Sequence, residues 1–238
     1  MKLRDKIIAE LMSRYWQTHP RLQFITRLPV EARVLDLGAG AGRAPDCTLP
    51  GDRARRDLHW HAVDRKPKPP TASHTTWTVA NLETDRLPWN NRTFEAVFFC
   101  HTLEHLTDTC LVQAEIARLL APGGLVYLET PSPHSREAPT TNQLAERGVR
   151  VIRGRFDDDP GHVHLYTRGG LGEFLNAAGC LTIESGEVWN DALADDLLHI
   201  GLALDHLHLT TYGHWLRTRW SQYVIGRRCL EEEKGDET

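Results

Sequence analysis

The sequence predicts one α/β domain over residues 1–238, a seven-stranded, mostly parallel sheet with helices packed against it. Three observations predict it. From Arg33 onward, short apolar runs alternate with helical patterns, as strand–helix–strand units feeding a parallel sheet do. A glycine-rich turn, Gly38-Ala-Gly-Ala-Gly42, directly follows the first of these runs. The composition, 40% hydrophobic and 25% charged, is that of an ordinary globular chain able to bury a sizeable core.

Taken in order, Ile7, Ile8, Leu11, Met12 and Tyr15 share one helical face, so residues 3–16 should form a leading helix. His19-Pro20 should end it, because the residue before proline avoids helical backbone. Strands are expected at Arg33–Leu37, Leu58–Val63, Thr75–Val79, Ala96–Cys100, Leu125–Glu129, Leu181–Val188 and Ser221–Arg227. Between the fourth and fifth, Thr107–Leu120 has an apolar face, and Ala121-Pro-Gly-Gly stops that helix. A further helix is expected at Leu171–Ala178, closed by Gly179. Asp191–His208 reads as a helical insertion whose apolar side (Leu193, Leu197, Ile200, Leu204, Leu207) is placed to cap a substrate cleft or to meet a second copy in a homodimer.

Two stretches resist the pattern. Residues 43–57 occupy the place of the first crossover helix, yet Pro45 and Pro50 preclude a long regular one. Residues 130–165 form a long, proline-rich connection, of the lid-like kind that covers a substrate. The acidic tail Glu231–Thr238 should fray.

Several function classes recede on composition. A formal net charge of -4 gives no electrostatic reason to expect nucleic acid as a partner. Apolar runs such as Ala96–Cys100 and Gly124–Leu128 are too short to span a bilayer, so no membrane partner is expected. Charges interleave the first residues, unlike the apolar core of a secretory signal. Five scattered cysteines without a CxxC pair point to reduced thiols and a cytoplasmic location. His199, His206 and His208, with Asp195, Asp196 and Asp205, do not share a helical face in a ligand pattern. A solvated amphipathic helix is the expectation there, and no metal site. The arginines of residues 53–56 (Arg53, Arg55 and Arg56) read as a solvated loop that could attract a phosphate-bearing acceptor.

Glycines at 38, 40 and 42 let the backbone turn tightly and approach a ligand, but such a turn serves nucleotides of several kinds. A nicotinamide-binding turn wants G-x-G-x-x-G, and position 43 is Arg. The segments that follow narrow the choice. Asp36-Leu-Gly-Ala-Gly-Ala-Gly42, His61-Ala-Val-Asp64, Ala80-Asn-Leu-Glu83 with Leu87-Pro-Trp89, the run Phe94–Leu106 containing Leu103-Glu-His-Leu106, and Leu119–Pro131 occur in that order. Together they resemble the class I S-adenosylmethionine (SAM)-dependent methyltransferases, over about three-quarters of the chain. The resemblance implies a Rossmann-like sheet with an antiparallel last strand and helices on both faces.

It also implies roles for individual residues. Gly38 and Gly40 would lie against the methionine and ribose parts of SAM, and Asp36 would help hold the amino group. Asp64 would bind the ribose hydroxyls, Asn81 and the Leu82 backbone the adenine, and the Cys100 carbonyl the cofactor ammonium. The departure from the family is residues 43–57, where a regular helix is usual.

Methyl transfer requires alignment of the acceptor, exclusion of water and removal of a proton from a hydroxyl or amine. His101, just past the fourth strand, is the leading candidate base, with Glu104 or His105 behind it as orienting groups. His162 is the second catalytic candidate. It lies in Arg155-Phe-Asp-Asp-Asp-Pro-Gly-His-Val-His-Leu-Tyr-Thr167, which is similar to a segment of ubiquinone-type and glycan-modifying O-methyltransferases. The alternative for His162 is a hydrogen bond to a carbonyl that pins the lid. The resulting expectation is O-methylation of a small molecule or saccharide. N-methylation of a small amine, a non-catalytic SAM-binding protein and an interaction module with a degenerate fold are the alternatives.

Overall fold

The computed structural model describes residues 2–47 and 55–230. The acidic tail expected at 231–238 and Arg53 of the arginine group lie outside them. The strands are β1 (Arg33–Leu37), β2 (His59–Asp64), β3 (Thr76–Val79), β4 (Phe94–Cys100), β5 (Leu120–Pro131), β6 (Cys180–Val188) and β7 (Ser221–Arg228). They form one seven-stranded sheet in the order β3-β2-β1-β4-β5-β7-β6. Pairing is parallel from β3 through β5, and β7 runs antiparallel between β5 and β6. The Rossmann-like expectation, antiparallel last strand included, describes this sheet. The strand order reverses between β1 and β4, and ligands of open α/β sheets bind beyond the carboxyl ends of strands at such a point.

The central strands are apolar on both faces because each face is covered. Leu35, Val97, Phe99 and Leu128 point into one core, beneath α3 (Cys110–Leu119) and α6 (Arg168–Ala177). Their alternating neighbours Val34, Ala96, Phe98 and Tyr127 point into the other, against α2 (Pro20–Thr26). A third cluster joins α1 (Leu3–Thr18) to α7 (Asp191–Ala203) and α8 (Leu207–Arg217) through Leu11, Tyr15, Leu193, Leu197 and Leu209.

Four details differ from the sequence reading. Pro20 does not only end the leading helix; it occupies the first turn of α2, where its missing N–H costs nothing, and the His19 side chain caps that helix. The expected insertion 191–208 is two helices, α7 and α8, broken at Asp205, whose φ is +47°. β5 starts at Leu120, with a register shift between Phe94 and Ala96 of β4 that admits Pro122-Gly-Gly. In the described part of 43–57 a 3-10 turn, Ala44–Cys47, agrees with the expectation that the prolines preclude a long regular helix. In that region Arg55 is not a solvated side chain: it pairs with Asp57 and donates to the carbonyls of Ile25, Leu28 and Pro29.

The lid-like connection contains α4 (His134–Glu137), α5 (Thr141–Glu146) and a 3-10 turn at Phe156–Asp158. One carboxylate stitches it together. Asp158 Oδ2 accepts from the Thr141 hydroxyl and from the amides of Thr141, Gly154 and Arg155. The connection is anchored to α8 by His214, whose Nε2 lies 2.7 Å from the Gly154 carbonyl, and by Trp215 Nε1, which donates to the Arg153 carbonyl at 2.9 Å.

Candidate active site

The turn after β1 holds its three glycines at φ +70°, +54° and +70°, the left-handed region that side chains with a Cβ avoid. They do different work. A Cβ on Gly38 would run into the Thr102 side chain, and one on Gly42 into Ala72. Gly40 faces open space, its nearest non-neighbouring atom being the Gly38 carbonyl oxygen at 3.9 Å. Packing from inside the protein therefore requires two of the glycines, while the third presents bare backbone to a cavity. The loop is tied to the end of β2: the Gly38 and Ala39 amides donate to the Val63 carbonyl at 2.8 and 3.0 Å. Asp64 completes the tie, accepting from the Gly40 amide at 2.7 Å and the Lys66 amide at 2.8 Å.

Two cavities meet at this loop. One, of about 530 Å³, is lined by Gly38, Gly40, Asp64, Asn81 and Leu82, with His101, Thr102 and His105 on its other wall. The other, of about 650 Å³, shares Gly38 and Ala41 with it and adds Asp36, Cys100 and Arg21, with Met12, Trp16, Phe98 and Tyr212 as apolar walls. Every cofactor-binding candidate read from the sequence lines one cavity or both. Asp36 is 4% exposed and lies 2.8 Å from His74 Nε2. Burial raises its pKa, and His74 opposes that rise.

The exits of β4 and β5 carry a second arrangement. His101 sits at φ +50°, a strained value for a residue with a Cβ, and its amide donates to the Glu129 carbonyl at 2.8 Å. Its ring lies between two buried carboxylates: Nε2 is 2.9 Å from Glu129 Oε1, and Nδ1 is 3.3 Å from Glu104 Oε1. Glu129 is the hub. Arg21 grips it with two N–H groups at 2.9 and 2.7 Å, and the Tyr127 hydroxyl donates to it at 2.6 Å. Burial alone would lower the His101 pKa, but Glu104 and Glu129 outweigh it and push the value up to about 9. Burial likewise works against an ionised Glu129, and Arg21, His19 and His101 hold its pKa well below the usual range. At neutral pH His101 is thus a donor; the base role expected of it requires that proton to leave first.

His162 stands beside this group. Its Nδ1 is 2.7 Å from the Phe156 carbonyl, a contact within the long connection itself, and burial lowers its pKa. Both His101 and His162 pack on Trp220, with ring centroids 5.7 and 6.4 Å away. Arg21 and Glu129 escaped the sequence reading. A charged residue ending an otherwise buried strand is a faint signal for Glu129, but its partner Arg21 is 108 residues away.

The methyltransferase-domain family matches residues 8–185. The chain belongs to that family. Within it, the ubiquinone/menaquinone biosynthesis C-methyltransferase UbiE of Desulfotalea psychrophila is 31% identical over 158 residues, 63% of this chain and 62% of that protein. The chain thus spans less than two-thirds of this relative. Among solved structures, the fold is shared with geranyl diphosphate C-methyltransferase from Streptomyces coelicolor A3(2), in complex with Mg2+, geranyl diphosphate and S-adenosyl-L-homocysteine. The TM-score is 0.58 at 13% identity, covering 94% of this chain and 83% of that one. A SAM-dependent methyltransferase from Aquifex aeolicus aligns with a TM-score of 0.55 at 13% identity, over 95% of this chain and 99% of its own. The cofactor named for these two neighbours is SAM or its demethylated product. The residues present suit it: an open glycine backbone beside a carboxylate for a ribose, and opposite charges, Asp36 and Arg21, in one cavity for the zwitterionic end of an amino acid. Among the described residues, no helix is long and apolar enough to cross a membrane.

Proposed function

We propose that this methyltransferase domain moves the methyl group of SAM to an oxygen atom of a small molecule or saccharide. The observation that carries the reading is the meeting of two cavities at Gly38 and Ala41, where the sheet order reverses. In this reading the adenosine half occupies the cavity of Asp64, Asn81 and Leu82. Free lone pairs on the Asp64 carboxylate accept from the ribose hydroxyls. The amino-acid end enters the other cavity, its carboxylate against Arg21 and its ammonium against Asp36 and the Cys100 carbonyl. Bound SAM supplies a methyl group on a positively charged sulfur, open to in-line displacement.

The chain's own part is alignment and exclusion of water. Trp16, Phe98 and Tyr212 wall the cavity with apolar surface, and Arg21 is kept from reorienting by its two-pronged contact with Glu129. His101 and His162, held side by side on Trp220, are assigned to the acceptor as the catalytic pair. A second reading, methylation at carbon, is favoured by the relative named a C-methyltransferase.

The test is calorimetric binding of SAM and its demethylated product, followed by transfer of isotopically labelled methyl from SAM into hydroxylated, phenolic and amine acceptors, with the product identified by NMR. A labelled methoxy carbon supports the first reading; a labelled carbon–methyl bond replaces it with the second, and an N-methyl product with the amine alternative. Binding without transfer to any cellular extract makes the chain a SAM-binding protein, and lack of binding removes both readings.

A further inference from the structure

Glu104 is fully buried, and neither of its carboxylate oxygens has a hydrogen-bond partner; the His101 contact at 3.3 Å lacks the alignment of one. The charge of His101 at 3.3 Å offsets part of the cost of burying this carboxylate, and both oxygens keep lone pairs that a second cation could take. Two histidines face it. The ligand atoms of Glu104, His105 and His162 all lie within 4.8 Å of one another, and the two rings are 4.8 Å apart at their centroids. Both rings already spend Nδ1 on a backbone carbonyl, His105 on Gly161 at 2.9 Å and His162 on Phe156 at 2.7 Å. An N–H donated at Nδ1 leaves Nε2 as a lone pair. A carbonyl behind each ring is also how metal-ligating histidines are usually oriented.

We propose that Glu104, His105 and His162 form a binding site for a divalent transition-metal ion such as Zn2+, Co2+ or Mn2+. Two imidazole nitrogens and one carboxylate oxygen suit such ions better than Mg2+ or Ca2+, which take oxygen ligands. Metal–ligand bonds of about 2.0–2.2 Å place tetrahedral ligand atoms about 3.3 Å apart, so the three groups draw together by about 1 Å on binding. The approach is local, since His105 and His162 sit on a turn and on the connection that packs over it. The neighbour His101 contacts Glu104 from behind, and Asp159 accepts from the Gly161 amide beside the site. His105 lines the same cavity as Asp64, so the ion's remaining positions open toward it and would receive an oxygen atom of the acceptor. That last point rests on the methyltransferase reading; metal binding does not.

The experiment reads metal on the full chain without SAM or acceptor, so a failed transfer assay leaves its result standing. Chelator-treated protein is titrated with Zn2+ by calorimetry and with Co2+ by visible absorption, whose weak aqueous band intensifies and shifts when a site of low coordination number replaces the octahedral water shell. One equivalent with an intensified Co2+ band is expected. Glu104→Gln and His162→Asn, tested separately, should each weaken binding by about 10–100-fold or more and bleach the band. The control His199→Asn, on the exposed face of α7, should change neither. Circular dichroism identifies a variant that has merely failed to fold, and the other variant then decides. Binding that survives both substitutions, or that disappears with His199→Asn, overturns the proposal, as does a failure of the unaltered chain to bind either ion.

Discussion

The turn after β1 and the turn after β4 stand side by side at one edge of the sheet and are built in opposite ways. The first is made of backbone: glycines at positive φ, amides donated to Val63, and one carboxylate, Asp64, that the next strand delivers. The second is made of side chains that meet from distant parts of the chain: His101 and Glu104 after β4, Glu129 on β5, Arg21 on α2 and His162 on the long connection. A backbone site tolerates any neighbour that leaves room. A buried ionic site fails as a unit when one member is lost, because the remaining charge cannot return to water.

Four substitutions sharpen that contrast, beginning with the largest expected effect. Glu129→Ala leaves Arg21 and His101 without their shared carboxylate inside the protein. A loss of about 3–5 kcal/mol is expected in denaturant unfolding, and a loss below about 1 kcal/mol would show that water reaches the cluster freely.

His19 comes next. It is 2% exposed, and burial lowers its pKa from 6.5 to about 3, against the pull of Glu129. The unfolded chain therefore takes up a proton below pH 6.5 that the folded chain refuses until about pH 3. Stability should fall as pH drops through that window, by about 3 kcal/mol at about pH 4 from this residue. His19→Asn keeps a capping side chain for α2 and should flatten the dependence between pH 6.5 and about pH 3; parallel slopes for the two proteins would refute the assignment.

On the backbone side, Gly38→Ala combines a positive φ with collision against Thr102. About 2–3 kcal/mol of stability should be lost, and replacing Thr102 by Gly in the same chain should return part of it. Asp64→Ala should weaken SAM binding by about 1–3 kcal/mol in calorimetry. Its effect on folding should be the smaller one, since the Gly40 and Lys66 amides it serves lie beside a solvent-open cavity. Unchanged affinity would remove Asp64 from the cofactor site.

The same contrast explains what could be read before the fold was known. The strands were legible because β1 and β4 are buried on both faces and therefore run largely apolar, as Val34-Leu35 and Phe98-Phe99 show. The residues that the resemblance assigns to the cofactor, Asp36, Gly38, Gly40, Asp64, Asn81, Leu82 and Cys100, all lie at or just past strand ends and line the two cavities. That placement alone puts them at one edge of the sheet. Helix boundaries near proline and glycine were less legible. Pro20 starts a helix as readily as it ends one, and the break at Asp205 between α7 and α8 depends on helices packing back on α1.

By itself, then, the sequence determined the sheet and the glycine turn, because local periodicity and backbone freedom are properties of neighbouring residues. Only the tertiary structure decided that Arg21 grips Glu129, that His101 lies between two carboxylates, and that His105 and His162 converge on a buried Glu104. Those contacts arise when sheet order and helix packing bring remote segments together, and the electrostatics of burial, which sets their charge states, exists only once water has been excluded.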